Sequence, residues 1–184
     1  LHFCLKQIKL PAMHLHIPEV SLVMLIGASG CGKSTFARKH FRPTEIISSD
    51  HCRALICDDE SNQEVTRDAF ELVHFIASKR LSVGRLTVID ATSVQSDARR
   101  PLLALARRFD APPAAVVFNL PENLCQQRNR LRSDRQVAAD IIHQQHQNLI
   151  QSLPDLKGEG FQYVYVLNSS EEIEAVQITR TSLP

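Results

Sequence analysis

Along this chain, short runs of apolar and β-branched residues at positions 22–26, 45–47, 86–89 and 114–118 take turns with segments whose apolar positions lie three and four apart. The runs do not alternate apolar with polar, so the strands they predict are covered on both faces, as in a parallel sheet. Between the second and third runs, Val65, Ala69, Leu72, Val73, Ile76 and Ala77 fall on one face of a helix that should end near Gly84. Another helix is predicted from Ser96, as its cap, through Leu105, and a third from the turn Pro121-Glu122. Segments 161–167 and 176–178 read as later, peripheral strands. Strands alternating with helices predict an α/β fold, a parallel sheet flanked by helices on both faces.

Composition narrows the picture. A chain of 184 residues, 43% hydrophobic, fills one core, and without repeats or a Gly/Ser linker it predicts one domain, residues 13–184. The first methionine is Met13, so residues 1–12 are expected to be an upstream extension or disordered. With Lys+Arg at 21 against Asp+Glu at 20, the formal charge is +1. That excludes a protein that coats nucleic acid through a global basic field and makes any such contact local. No apolar run has the length of a membrane span, so a cytoplasmic protein without a membrane partner is expected. Five cysteines, odd in number and without a CxxC pair, predict reduced thiols rather than a disulfide framework or structural zinc.

The candidate chemistry begins at Gly27-Ala28-Ser29-Gly30-Cys31-Gly32-Lys33-Ser34, a full GxxxxGK[ST] phosphate loop between the strand 22–26 and a helical segment opening at Thr35. Three of the six glycines lie here. They let successive backbone N–H groups approach phosphate oxygens, with the positive end of the helix behind them. Lys33 would reach the β and γ phosphates, and the Ser34 hydroxyl would ligate Mg²⁺. Cys31 is expected to contribute its backbone N–H; a redox role would need a lowered thiol pKa.

Acids at strand ends choose among phosphate-loop machines. Asp50 follows the second strand at the rim where parallel sheets hold ligands, placed to take a proton from an attacking hydroxyl. The same residue suits an N-cap for the turn 51–55. Arg53, three residues on, shares its side of that turn and would hold an acceptor phosphate, or else pair at the surface with Asp58 or Asp59. Asp90 ends the third strand and either assists Mg²⁺ or the acceptor, or bonds the turn 91–93. Arg128, Arg130, Arg132 and Arg135 then crowd one segment. Arg128 and Arg132 are spaced to share a helix face, which suits a lid closing over phosphates and equally suits a solvated helix with cations near its C-terminus.

Taken together, the stretches IPEVSLVMLIGASGCGKSTFARKHF, EIISSDHCRALICDDE, LTVIDATSVQSDARRPL, VVFNLPENLCQQRNRLRSDRQV and EGFQYVYVLNS make residues 13–184 resemble the 5′-polynucleotide kinase domain of the bacterial polynucleotide kinase-phosphatase-ligase RNA-repair proteins. The resemblance implies a P-loop kinase-like sheet with an arginine-bearing helical lid over roughly 121–151. It also implies transfer of the ATP γ-phosphate, with Mg²⁺, to a 5′-hydroxyl end of RNA or DNA in RNA end-healing. Residue by residue, it implies that Gly27, Ala28, Ser29, Gly30, Cys31, Gly32, Lys33, Ser34 and Thr35 cradle the donor, with Ser34 on the metal. Asp50 would be the general base, Arg53 an acceptor-phosphate ligand, Arg128 and Arg132 the lid arginines, and Gln63 a neighbour of the acceptor strand. Two positions depart from the pattern: Ser93 stands where Asn is expected after Asp-Ala-Thr, and Cys31 where Ser is expected in the loop. In the family this domain is followed by phosphatase and ligase domains, so these are expected partners in a longer chain. The competing readings are a P-loop kinase for a small metabolite and a nucleotide-dependent switch. The second lacks an NKxD guanine-reading segment and a switch-like glutamine after Asp90.

Overall fold

The computed structural model describes residues 13–132 and 136–182; the extension expected at 1–12, Arg135 and the last two residues of the expected domain lie outside them. The chain enters as β1 (His14–Pro18) and β2 (Leu22–Ile26), then runs through α1 (Lys33–His40), β3 (Ile46–Ser48), α2 (Ser49–Cys57), α3 (Thr66–Ser82), β4 (Thr87–Asp90) and α4 (Ser96–Arg108). It continues through β5 (Pro113–Phe118), α5 (Glu122–Arg130), α6 (Ala139–Ser152), β6 (Tyr163–Leu167), α7 (Ser170–Ala175) and β7 (Gln177–Thr181). Five strands form one parallel sheet in the order β3-β4-β2-β5-β6, with Met24 of β2 level with Ile89 on one side and Ala115 on the other. This is the expected α/β, P-loop kinase-like architecture.

β2 explains why the sheet is covered on both faces. All five of its residues are buried. Leu22, Met24 and Ile26 pack with Ala69, Val73, Ala77 and Leu81 of α3, Leu102 and Leu103 of α4 and Leu149 of α6. Val23 and Leu25 face the other layer, with Phe36 and Ala37 of α1, Cys125 of α5 and Ile142 of α6. Burying each Val, Leu or Phe side chain contributes about 1.5–3 kcal/mol, so strand alternation and helix stripes are cemented in one step.

Several expected boundaries move, for local reasons. The second strand starts at Ile46 rather than 45, because Pro43–Glu45 forms a 3-10 turn in which the Glu45 carboxylate accepts the Arg42 N–H at 2.9 Å. Ser96 is the first helical residue of α4 and not its cap; Gln95 holds that position without a side-chain bond. The 161–167 segment becomes β6, the peripheral edge strand of the main sheet, with Val116 level with Tyr165. The 176–178 segment is indeed set apart, as β7 paired with β1 in a separate two-stranded sheet. β1 itself was not expected. The Tyr165 hydroxyl joins the two sheets, donating to the His16 carbonyl at 2.8 Å and accepting the His16 N–H at 3.0 Å.

Candidate active site

The phosphate loop leaves β2 at the end of the sheet where β3 and β4 also finish, the rim at which open parallel sheets receive ligands. Its shape depends on glycine at two points. Gly30 has φ +83°, and a Cβ there would lie 2.2 Å from the Cys125 carbonyl oxygen, so α5 presses directly on the loop backbone. Gly32, at φ +104°, takes the N-cap position of α1 in the left-handed region that other residues avoid. Lys33 is buried, its Nζ donating to the carbonyls of Gly27 at 2.8 Å and Ala28 at 3.0 Å, which holds the ammonium at the mouth of the loop. The Cys31 side chain packs into the apolar layer, and its backbone N–H donates to the Ala28 carbonyl at 3.3 Å. On α5 behind it, burial pushes the Cys125 thiol up to about 12.

A cavity of ≈ 830 Å³ opens above the loop, and it gathers residues from seven segments. Ser29 to Thr35, Asp50 and Arg53, Gln63, Thr66 and Phe70, and Arg128 and Arg132 all line it. Of the site residues named from sequence, only Gly27 and Ala28 do not line it.

Asp50 is not the last residue of a strand but the second residue of α2, and it does not cap that helix. Ser48 does, accepting the His51 N–H at 3.3 Å. The Asp50 carboxylate is therefore spared for other work, and Arg53 Nη2 contacts its Oδ1 one turn along. Arg53 is 4% exposed, so the expectation of a surface pair with Asp58 or Asp59 gives way to a buried guanidinium that also donates from Nε to the Glu60 carbonyl at 2.8 Å. Gln63 is exposed, its Nε2 bonded to the Ser61 carbonyl at 2.9 Å.

Asp90 ends β4 and lines the cavity. The structure sets its carboxylate on the same cavity as Lys33 and Ser34, near enough for both to hold its pKa down. The turn after it is held by Arg99 instead, a fully buried side chain that donates to the Ser93 carbonyl at 2.8 Å and pairs with Glu159. The Ser34 hydroxyl and the Asp90 carboxylate are hard oxygen donors, and among the described residues no group of three or more His, Cys, Asp or Glu could hold a metal. Such a pair fits Mg²⁺, which is bound by one or two protein oxygens together with phosphates and water.

Burial raises the Asp90 carboxyl above its usual range and Asp50 adds to the rise, while Lys33 and Ser34 pull it down. An acid whose pKa is higher folded than unfolded supports the fold fully below the unfolded value, and that support is lost as pH rises through the folded one. Ionised Asp90 is thus a net cost at neutral pH. Asp90→Asn is expected to raise the melting temperature at pH 7, followed by circular dichroism, while lowering Mg²⁺-dependent activity; a lower melting temperature contradicts this account of the site.

Arg128 ends one turn of α5 beside the loop, its Nη2 donating to the Ser170 hydroxyl at 2.8 Å. Its Nη1 lies 3.8 Å from where a Cβ on Gly32 would stand. Arg132 does not share a helix face with it, because α5 stops at Arg130. The two arginines meet at the cavity through the turn that ends the helix. A further side chain, Gln145 of α6, lines the cavity and was not anticipated; its Oε1 accepts the Ser29 N–H at 2.8 Å.

Fold and loop together define a nucleotide-phosphate-binding P-loop domain of the kinase-like type. The model of the AAA domain family matches residues 22–156, and the chain belongs to that family. Among solved structures, a chain of the Pnkp1/Rnl/Hen1 RNA repair complex is similar at 21% identity and TM-score 0.65, over 77% of this chain and 47% of that one. This chain thus spans about half the length of that relative. A sugar kinase from Janibacter sp. HTCC2649 is similar at 18% identity and TM-score 0.55, over 84% of this chain and 91% of that one. A gluconokinase from Sinorhizobium meliloti 1021 matches at 14% identity and TM-score 0.51, over 86% and 92%. At these identities the likeness is one of fold. Among the described residues no helix is long and apolar enough to cross a membrane.

Proposed function

We propose that this domain is an ATP-dependent polynucleotide 5′-hydroxyl kinase that prepares RNA or DNA ends for sealing, in RNA end-healing. One observation carries the reading: Asp50, fixed by the buried Arg53, opens on the same cavity as Lys33 and Ser34, and that cavity continues past it to Gln63, Thr66 and Phe70. The donor's phosphates would lie on the loop amides with Lys33 across the β and γ groups. Mg²⁺ held by Ser34 and Asp90 would neutralise charge on the β- and γ-phosphate oxygens. The 5′-oxygen attacks the γ-phosphorus, its proton passes to the Asp50 carboxylate, and the bond from that phosphorus to the bridging oxygen breaks, leaving ADP and a 5′-phosphate. Arg128 and Arg132 would meet the charge spread over the transferring oxygens. On this reading the acceptor's end would enter the space beyond Asp50, with Arg53 on its phosphate and Gln63 beside the strand. In a longer native chain, phosphatase and ligase domains would follow this one.

The test is an acceptor panel. With γ-labelled ATP and Mg²⁺, label is expected on 5′-hydroxyl oligonucleotides and on none of a set of sugars, nucleosides and shikimate-like acids. Label on a small metabolite alone would make this a metabolite kinase.

A further inference from the structure

Gln145 stands where a helix facing a core would carry a hydrophobe. It follows buried Ile142 by three residues and precedes buried Leu149 by four, so it lies on the inward stripe of α6. A polar side chain there needs a reason, and its bond to Ser29 supplies half of one. A backbone N–H can only donate, so Oε1 must be the atom that faces Ser29, and the amide's orientation follows from the bond itself. The Nε2 end, with two N–H donors, is then turned away from the loop backbone, and among the described residues it has no hydrogen-bond partner.

α6 is held firmly enough to make that orientation useful. Before its first turn, the Asn129 side chain brackets Val137, donating to its carbonyl at 2.8 Å and accepting its N–H at 3.0 Å. At its far end, Ser152 donates to the Val94 carbonyl at 2.8 Å, tying the helix to the segment after β4. Ser29 belongs to the first half of the loop, whose carbonyls at Gly27 and Ala28 hold the Lys33 ammonium. Lys33 serves the β and γ phosphates, so this half of the loop borders the outermost phosphate.

We propose that Gln145 is a catalytic residue of the phosphoryl transfer: Oε1 anchored on Ser29, its Nε2 donates to an oxygen of the transferring group in the cavity that Arg128 and Arg132 also line. This rests on the proposed donor geometry, but not on which acceptor is used. A neutral donor fixed by the loop itself is in place before charge develops, which is how preorganised donors lower a barrier.

Gln145→Glu separates this role from simple bracing of the loop, because the carboxylate still accepts the Ser29 N–H but donates nothing to the transferring group and repels it. The proposal expects ADP·Mg²⁺ to bind Gln145→Glu and Gln145→Ala within about threefold of wild type. The affinity for ADP with aluminium fluoride, which fills the place of the transferring group, should fall by at least tenfold in both. Turnover on the acceptor should fall roughly a hundredfold, the size of effect seen when one such donor is removed. If Gln145→Glu binds the aluminium fluoride complex and turns over as wild type does, or if ADP affinity falls in step, Gln145 only braces the loop and the proposal fails. Should wild type label no oligonucleotide, the polynucleotide reading fails, while the aluminium fluoride comparison still decides this one.

Discussion

Asp50→Asn is expected to lower transfer of phosphate to a 5′-hydroxyl oligonucleotide by about a thousandfold or more, within the range that a positioned general base supplies. The amide keeps the shape of the carboxylate and its place beside Arg53, but cannot take the proton of the attacking hydroxyl. ATP binding, measured by calorimetry, should change little, since the loop amides, Lys33 and Ser34 belong to other elements. Asparagine is the informative substitution. Asp50→Ala would also take a carboxylate away from the buried Arg53 guanidinium, which could confuse lost chemistry with lost fold. Near-normal transfer by Asp50→Asn would remove Asp50 from the base role.

Arg128→Ala is expected to reduce turnover about 10²–10³-fold, the effect typical of losing one donor aimed at developing charge. Its position argues for this size: the guanidinium lies over Gly32, at the start of α1, where donor phosphates would rest. Because Ser170 receives one of its N–H groups, the side chain is already aimed before a nucleotide arrives. Arg132→Ala should show a comparable loss, whereas Arg130, which is exposed and does not line the cavity, should tolerate alanine. Single-turnover measurement with saturating ATP separates the outcomes. Wild-type rates in Arg128→Ala and Arg132→Ala would make the cluster a solvated helix end and nothing more.

What the sequence disclosed follows from how local each feature is. The phosphate loop is legible because its amides, Lys33 and Ser34 come from consecutive residues, and the central strands are legible because burial on both faces removes polar residues from them. Asp50 and Arg53 sit one helical turn apart, so their partnership is also within reach of a linear reading. Their surroundings were not. Whether Ser48 or Asp50 caps α2 depends on which side chain the strand's exit angle leaves beside the His51 N–H. Arg132 was placed on the helix face of Arg128 by its spacing, although α5 ends before it. β1 escaped notice because its partner β7 closes the other end of the chain and the five residues His14–Pro18 carry little signal alone. Gln145 reaches Ser29 across 116 residues, a contact made by the return of α6 over the loop and written nowhere in the local pattern.

A structure with Mg²⁺, a non-hydrolysable ATP analogue and a short 5′-hydroxyl oligonucleotide bears most directly on these points. The account predicts the terminal 5′-oxygen within about 3 Å of an Asp50 carboxylate oxygen and in line with the bond that joins the β and γ phosphates. An oligonucleotide bound elsewhere, or a 5′-oxygen held by some other group while Asp50 faces away from the triphosphate, would contradict it.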